Sequence, residues 1–87
     1  MPGVTRVGID TAGGTILGGG QSFVYCNGAL VAIVGDAVAG HGLGPHAGPT
    51  MAEGSSTVFI KGIGVCRAGD AATCGHPATG SSNVFAG

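Results

Sequence analysis

Apolar and polar residues alternate along this chain in short runs, and glycine or proline separates nearly every run from the next. Each run has the length of a strand, is rich in β-branched residues and is bounded by turn residues, a pattern typical of β-structure. Glycine or proline also interrupts almost every window long enough for three helical turns. The sequence therefore predicts an all-β domain. Its expected strands are Thr15–Leu17, Gln21–Cys26, Ala29–Val34, Thr57–Lys61, Val65–Ala68 and Asn83–Phe85.

The predicted strands belong to a unit that repeats along the chain. Gly20–Gly28 aligns with Gly54–Gly62, and a Gly-Asp pair follows ten residues after the aromatic residue in both copies. A third copy starts at Gly80, and Val4–Gly8 near the N-terminus supplies its missing half. We therefore predict three similar lobes, the third built from both ends by pairing or close approach of Val4–Gly8 and Asn83–Phe85. Three residues would then be equivalent, namely Arg6, Ile33 and Arg67.

The repeat also places a valine, an aromatic residue and an aspartate at equivalent positions. The sets are Val24, Val58 and Val84; Tyr25, Phe59 and Phe85; and Asp36 and Asp70 of the two complete copies. Strand alternation sends the valines and the aromatics to opposite faces. Core packing is the simpler interpretation of the valines, whereas the aromatics fit a core or a docking surface equally well. Aspartate at such a turn hydrogen-bonds the nearby main chain, so a structural role is expected.

Composition indicates a small folded domain that needs additional stabilisation. Twenty of the 87 residues are glycine, which loses more conformational entropy on folding than any other residue. One domain spanning residues 1–87, without an extension or effector domain, is expected, and at this size an apolar core alone is marginal. The three basic residues form no patch, so nucleic acid is not an expected partner. Neither a signal peptide nor an apolar run of membrane-spanning length is recognisable.

The histidines and one cysteine suggest the stabilising element. His41, His46, Cys74 and His76 make a complete tetrahedral ligand set for one Zn²⁺, and a set of four protein ligands indicates a structural site. The alternative is three surface histidines and an unused thiol. The other cysteines, Cys26 and Cys66, lie in apolar runs, where buried thiols act as small apolar groups. A disulfide between these two cysteines is the alternative to that interpretation.

Several segments together resemble the PAAR-repeat proteins over essentially the whole chain. They are the Pro2–Gly8 opening, Gly35-Asp36, Gly54-Ser-Ser-Thr-Val-Phe-Ile-Lys-Gly62, Arg67-Ala-Gly-Asp70 and Gly80-Ser-Ser-Asn-Val-Phe85. The name-giving tetrad is degenerate here, with Gly64-Val-Cys-Arg67 in its place. The first Gly-Asp has become Gly8-Ile9-Asp10. A histidine that often follows it in the family is replaced by Thr11-Ala-Gly-Gly14.

The resemblance implies a small pointed β-cone with zinc near its vertex. The base of such a cone caps a trimeric β-helical spike, one copy per trimer, in contractile phage tails, type VI secretion systems and related machines. The chain would be monomeric alone and would reach a virion tail tip or a spike assembled in the cytoplasm. From there it would be delivered outside the producing cell and would contact the target-cell membrane transiently while piercing it.

Two other functions compete with a structural tip. A zinc-dependent binding or adaptor module would dock a partner to a secretion apparatus. A zinc hydrolase would need an open coordination position and a general base near the metal. The acidic residues are only Asp10, Asp36, Glu53 and Asp70, and two of them belong to the repeat turns. We therefore expect no catalytic residues and no enzymatic activity.

Overall fold

The computed structural model describes residues 2–87, whose regular structure consists of short β-strands and one 3₁₀ turn. The strands are β1 (Thr11–Ala12), β2 (Gly14–Gly18), β3 (Tyr25–Cys26), β4 (Ala29–Leu30), β5 (Ala37–Val38), β6 (Phe59–Ile60) and β7 (Ile63–Gly64), and the 3₁₀ turn is Gly44–His46. Strands β1, β2 and β5 form an antiparallel sheet, while β3–β4 and β6–β7 are hairpins. The all-β prediction is confirmed. Thr15–Leu17 lies within β2, whereas the predicted strands that contain β3, β4 and β6 were too long. Val65–Ala68 and Asn83–Phe85 form only isolated bridges, and β1, β5 and β7 were not predicted.

The two hairpins occupy the same place in the repeat and use the same turn. Cys26 pairs with Ala29 and Ile60 pairs with Ile63, so two residues close each turn. Both turn residues have positive φ in each case: 53° and 84° at Asn27-Gly28, 55° and 78° at Lys61-Gly62. Two consecutive left-handed residues give a turn whose twist matches that of antiparallel strands. Each hairpin is therefore fixed by local turn chemistry.

The strands are short because their neighbouring residues bond to the other lobes instead of extending a sheet. Three residues, one per lobe, form a closed cycle of main-chain hydrogen bonds. The Thr5 N–H donates to Cys66 O (3.0 Å), the Cys66 N–H to Ala32 O (2.9 Å) and the Ala32 N–H to Thr5 O (3.0 Å). Isolated antiparallel bridges follow the same cycle at Val4–Arg67, Arg6–Val31 and Ile33–Val65. The three predicted lobes therefore surround one pseudo-threefold axis.

Both chain ends build the third lobe, as the repeat predicts. The Val4 N–H donates to Val84 O (2.8 Å), and Gly3 forms an antiparallel bridge with Phe85. Equivalent bonds join Val31 to Val24 and Val65 to Val58 in the other two lobes, both at 3.0 Å. Within Val4–Gly8, only the first residue pairs with the C-terminal segment, because Arg6 already bridges to the first lobe. The predicted closure is confirmed at this junction.

An aspartate closes the same turn in each lobe. Asp36, Asp70 and Asp10 accept hydrogen bonds of 2.8–2.9 Å from the main-chain N–H groups of Ile33, Arg67 and Arg6, respectively. This shared hydrogen bond confirms the predicted equivalence of Arg6, Ile33 and Arg67. Two lobes add an ion pair, Arg6–Asp10 at 2.7 Å and Arg67–Asp70 at 3.0 Å. The third lobe contains one extra residue in this turn, the exposed Ile9.

Two clusters of buried apolar residues fill the molecule. One contains Ala12, Ile16, Ala32, Val38, Met51, Cys66, Ala72 and Ala78, and the other Val4, Cys26, Val31, Ile33, Ile60, Val65 and Ala86. Cys26 and Cys66 are buried and unpaired, so the alternative disulfide does not form. Burial, followed by the nearby Asp70 and Asp36, raises the pKa of the Cys66 thiol to about 12. Among residues 2–87, the chain forms no helix of the length and apolarity needed to span a bilayer.

Candidate metal centre and apolar base

A compact loop after β5 brings two of the histidines together. The His41 N–H donates to His46 O (2.8 Å), and the 3₁₀ turn Gly44–His46 reverses the chain between them. Pro45 stands at the start of that turn, where its fixed φ is favourable and its missing N–H costs no hydrogen bond. The two imidazoles consequently face each other although the segment contains no strand or α-helix.

The second pair of predicted ligands lies on a tight turn. The Ala72 N–H donates to His76 O (3.0 Å), and the Gly75 N–H donates to Ala72 O (2.9 Å). Gly75 has φ of +90°, which permits the turn to close with only one residue between Cys74 and His76. This geometry presents the thiol and the imidazole on the same side of the loop, toward the first pair.

The four predicted ligand residues converge. Their ligand atoms all lie within 4.8 Å of one another. His41, His46 and Cys74 are half-buried, whereas His76 is exposed. Nε2 of His41 is 3.1 Å from Nδ1 of His46 and 2.9 Å from Nδ1 of His76. Sγ of Cys74 is 3.6 Å from Nε2 of His41 and 3.8 Å from Nδ1 of His76. These four residues therefore form a group able to bind a metal ion.

The separations lie on both sides of those expected around a tetrahedral ion, with two nitrogen pairs somewhat closer and other pairs farther apart. Zinc bonds of about 2.0–2.1 Å to nitrogen and 2.3 Å to sulfur separate neighbouring ligand atoms by about 3.3–3.6 Å. Nδ1 of His41 lies 3.0 Å from the main-chain oxygen of Ala39. A proton on that nitrogen satisfies the carbonyl and leaves Nε2 free as a ligand, the usual arrangement for a metal-binding histidine. The donor set and its supporting hydrogen bond thus suit a metal.

An apolar depression forms the other surface feature of the molecule. It encloses about 340 Å³, and its lining consists of four residues from each lobe: Val4, Val24, Tyr25, Cys26, Val31, Val58, Phe59, Ile60, Val65, Val84, Phe85 and Ala86. We call this surface the apolar base. Most of its buried residues belong to the second cluster, whereas Cys74 of the metal group packs against the first. The two features therefore adjoin different parts of the core.

The valines and aromatics of the repeat share this base. Tyr25, Phe59 and Phe85 are 59%, 53% and 48% exposed, so they form a surface and not a core. The core interpretation of Val24, Val58 and Val84 was wrong, because each is more than a third exposed beside the aromatics. Both types of side chain line the same depression, so the predicted placement on opposite faces was wrong.

Sequence reasoning missed two contributors to the metal group. Ala39 orients His41 through a main-chain oxygen, which no residue type signals. Gly13 leaves open the space between His41 and His76. The pair Gly13-Gly14 was noted only as a departure from the family pattern, and its position beside the imidazoles depends on the pairing of β1 with β2.

The family is shown by comparison with known proteins. A family model described as the PAAR motif matches residues 9–78. No curated protein matches the chain. The matched region includes the two complete lobes and all four residues of the metal group. Because it spans far more than half of the 87 residues, the chain belongs to the PAAR-motif family.

Proposed function

We propose that this protein is the tip of a contractile injection machine and that its apolar base caps a trimeric β-helical spike. The observation that carries the proposal is the arrangement of the base, in which three lobes present equivalent apolar residues around one axis. A single chain of this kind meets a threefold partner without a mismatch of symmetry. Family membership supports the same role, and we propose one copy of this chain per spike trimer.

The chemistry of the base suits an apolar contact. Monomeric proteins rarely expose large contiguous apolar surfaces unless they bind a partner. The exposed aromatics contribute rigid contact area, which is typical of the residues that dominate binding energy at interfaces. None of the twelve residues described as lining the base has a charged side chain. Charge therefore contributes little, and binding should change only weakly with salt.

Base variants test the docking proposal. Tyr25→Ala, Phe59→Ala and Phe85→Ala should each weaken binding to the trimeric spike from the same genome by about 10-fold or more, the range of interface hot spots. Comparable losses are expected because the three residues are equivalent. Leu17→Ala is the control, since Leu17 is exposed but lies outside the base. Titration calorimetry at low and high salt measures both effects. Losses no larger than that of the control would contradict docking through this surface.

The metal group is proposed to hold one structural Zn²⁺. With four protein ligands, no coordination position remains for a reacting water, and such sites contribute folding free energy directly. Zinc would tie together the loops of His41–His46 and Cys74–His76, a region with few large apolar side chains. The exposed Leu43 lies between the first two ligands and is suited to a brief contact with the target membrane.

Metal analysis tests the zinc proposal. Protein purified without added metal should contain about one zinc per chain. His76→Ala should lower zinc affinity by more than about 100-fold, because losing even an outer-shell partner costs up to that factor. Leu43→Ala in the same loop should retain the metal. Elemental analysis and chelator competition provide the readouts. A fully folded protein that contains no metal would refute the proposal.

Neither alternative function has an observation of its own in its favour. All four acidic side chains accept hydrogen bonds from nearby protein groups, including Glu53, which accepts from the Ala71 N–H at 2.8 Å. A hydrolytic base would instead need to face the metal group. A general adaptor module would not require a threefold base. The structural tip accounts for both the metal group and the base.

A further inference from the structure

We propose that Gly13 is a positioning residue of the metal centre, because its missing side chain reserves the space that an ion between His41 and His76 requires. The inference rests on the proposed metal binding and extends it to a residue that is not a ligand. Gly13 connects β1 to β2 in a turn where Ala12 pairs with Gly14. Its φ is +87°, a conformation that favours glycine.

The space beside Gly13 is the space between two ligands. A Cβ atom on Gly13 would lie 2.5 Å from Nε2 of His41 and closer still to Nδ1 of His76. Non-bonded heavy atoms keep about 3.5 Å apart, whereas zinc approaches a ligand nitrogen to about 2.0–2.1 Å. A methyl group there would stand where only a bonded atom fits. Methyl group and metal therefore compete for the same approach to the two nitrogens.

An added methyl group at Gly13 affects folding or metal binding according to which atoms move to avoid it. The atoms that meet the methyl group belong to imidazole rings, which move by rotating about their side-chain bonds. The fold then survives, but the ligand nitrogens no longer converge. At the neighbouring Gly14, by contrast, a Cβ atom would overlap the main-chain oxygen of Ala39. Substitution there disturbs the backbone itself. Gly13 is thus the position at which metal binding separates from folding.

Two other glycines isolate the cost of the backbone conformation. Gly8 has φ of +79° and Gly35 has φ of +94°, and a Cβ atom on either would meet no atom within 4 Å. Alanine at these positions adds the same kind of backbone strain without filling the metal group.

The experiment compares Gly13→Ala with Gly8→Ala and Gly35→Ala in the full chain. Zinc affinity is measured by competition with a chromophoric chelator, and unfolding in urea is followed with excess chelator present. We expect Gly13→Ala to lose about 100-fold or more in zinc affinity, while both controls stay within about threefold of the wild type. In chelator, all three variants should unfold at similar urea concentrations, which a merely structural role of Gly13 would not produce.

Each outcome bears on one proposal. Equal zinc affinity in Gly13→Ala and the controls would overturn the inference while leaving the zinc proposal intact. A wild-type chain without zinc would instead refute the proposed function. If Gly13→Ala is insoluble, it is combined with His41→Ala and His76→Ala, which remove both imidazoles that the methyl group would meet. Soluble yield equal to that of the His41→Ala, His76→Ala double variant would support the overlap at the rings, and a further large loss would overturn it.

Discussion

Arg6 and Arg67 perform the same task in two lobes, each donating from main chain and side chain to one aspartate. The first lobe has Ile33 at this position, and its aspartate relies on main-chain N–H groups of Gly20 and Ile33. Burial alone would raise the pKa of Asp10. Hydrogen bonds from the Arg6 side chain, the Thr79 hydroxyl and the Arg6 main chain outweigh it, so this pKa lies below its ordinary value of 3.8.

The depressed pKa of Asp10 predicts a specific pH dependence. Because the folded pKa is the lower one, the stabilisation is complete above pH 3.8 and is lost as pH falls through the folded pKa. Asp10→Asn should cost about 1–3 kcal/mol at pH 6, as expected for hydrogen bonds to a charged group. The difference from wild type should shrink below about pH 4. Urea unfolding of both proteins between pH 6 and pH 3 measures it; a constant difference would contradict the account.

The ligands could be predicted at this scale because the chain has only three histidines and one cysteine outside the apolar runs. The residue types alone therefore leave few candidates for metal ligands. The partners of those ligands could not be predicted in the same way. Ala39 acts through its main chain and Gly13 through a missing side chain, and both depend on which strands are paired.

At the scale of elements, the chain ends are joined by a close backbone contact. Gly3 bridges to Phe85, and the Ser81 N–H donates to Val4 O (2.8 Å). A Cβ atom on Gly3 would overlap the main-chain oxygen of Ser81, and one on Gly80 would overlap that of Gly3. Glycine therefore permits the two terminal segments to approach closely enough to complete the third lobe.

This contact predicts that Gly3→Ala destabilises the whole fold. Main-chain atoms cannot rotate away as side chains do, so the added methyl group should cost about 1–3 kcal/mol, the usual cost of overpacking. Gly48→Ala is the matched control, since its Cβ would meet nothing within 4 Å at an ordinary φ. Thermal unfolding measures both. If the two variants unfold at the same temperature, the ends do not form a structural lobe.

The repeat predicted the hairpins and the closure better than it predicted the strands around the metal group. Turn residues such as Asn27-Gly28 favour a two-residue hairpin turn by their residue types, so the turn can be recognised in the sequence. β5 had no such signal, because Ala37 and Val38 pair with residues of β2 far away in the chain. Long predicted runs also broke into single bridges, since each lobe shares its hydrogen bonds with two others around a narrow axis.

The whole molecule has pseudo-threefold symmetry at its base but no threefold symmetry at the metal group. Three lobes supply the lining of the base, whereas the metal group takes its residues from two loops, 41–46 and 74–76. The pseudo-threefold base suits a symmetric partner, and a single metal group needs no symmetry. Because only seven side chains are charged, we expect contact with a partner at the base to be mainly apolar.

We propose that one zinc-bound chain closes one trimeric spike. Native mass spectrometry of the complex assembled with an excess of this protein measures the composition directly. The account predicts a single species containing three spike chains, one copy of this chain and one zinc ion. A complex with three copies of this chain per spike trimer would contradict this proposal. In such a complex, all three lobes of one copy would meet a single spike chain, whereas we expect each lobe to meet a different spike chain.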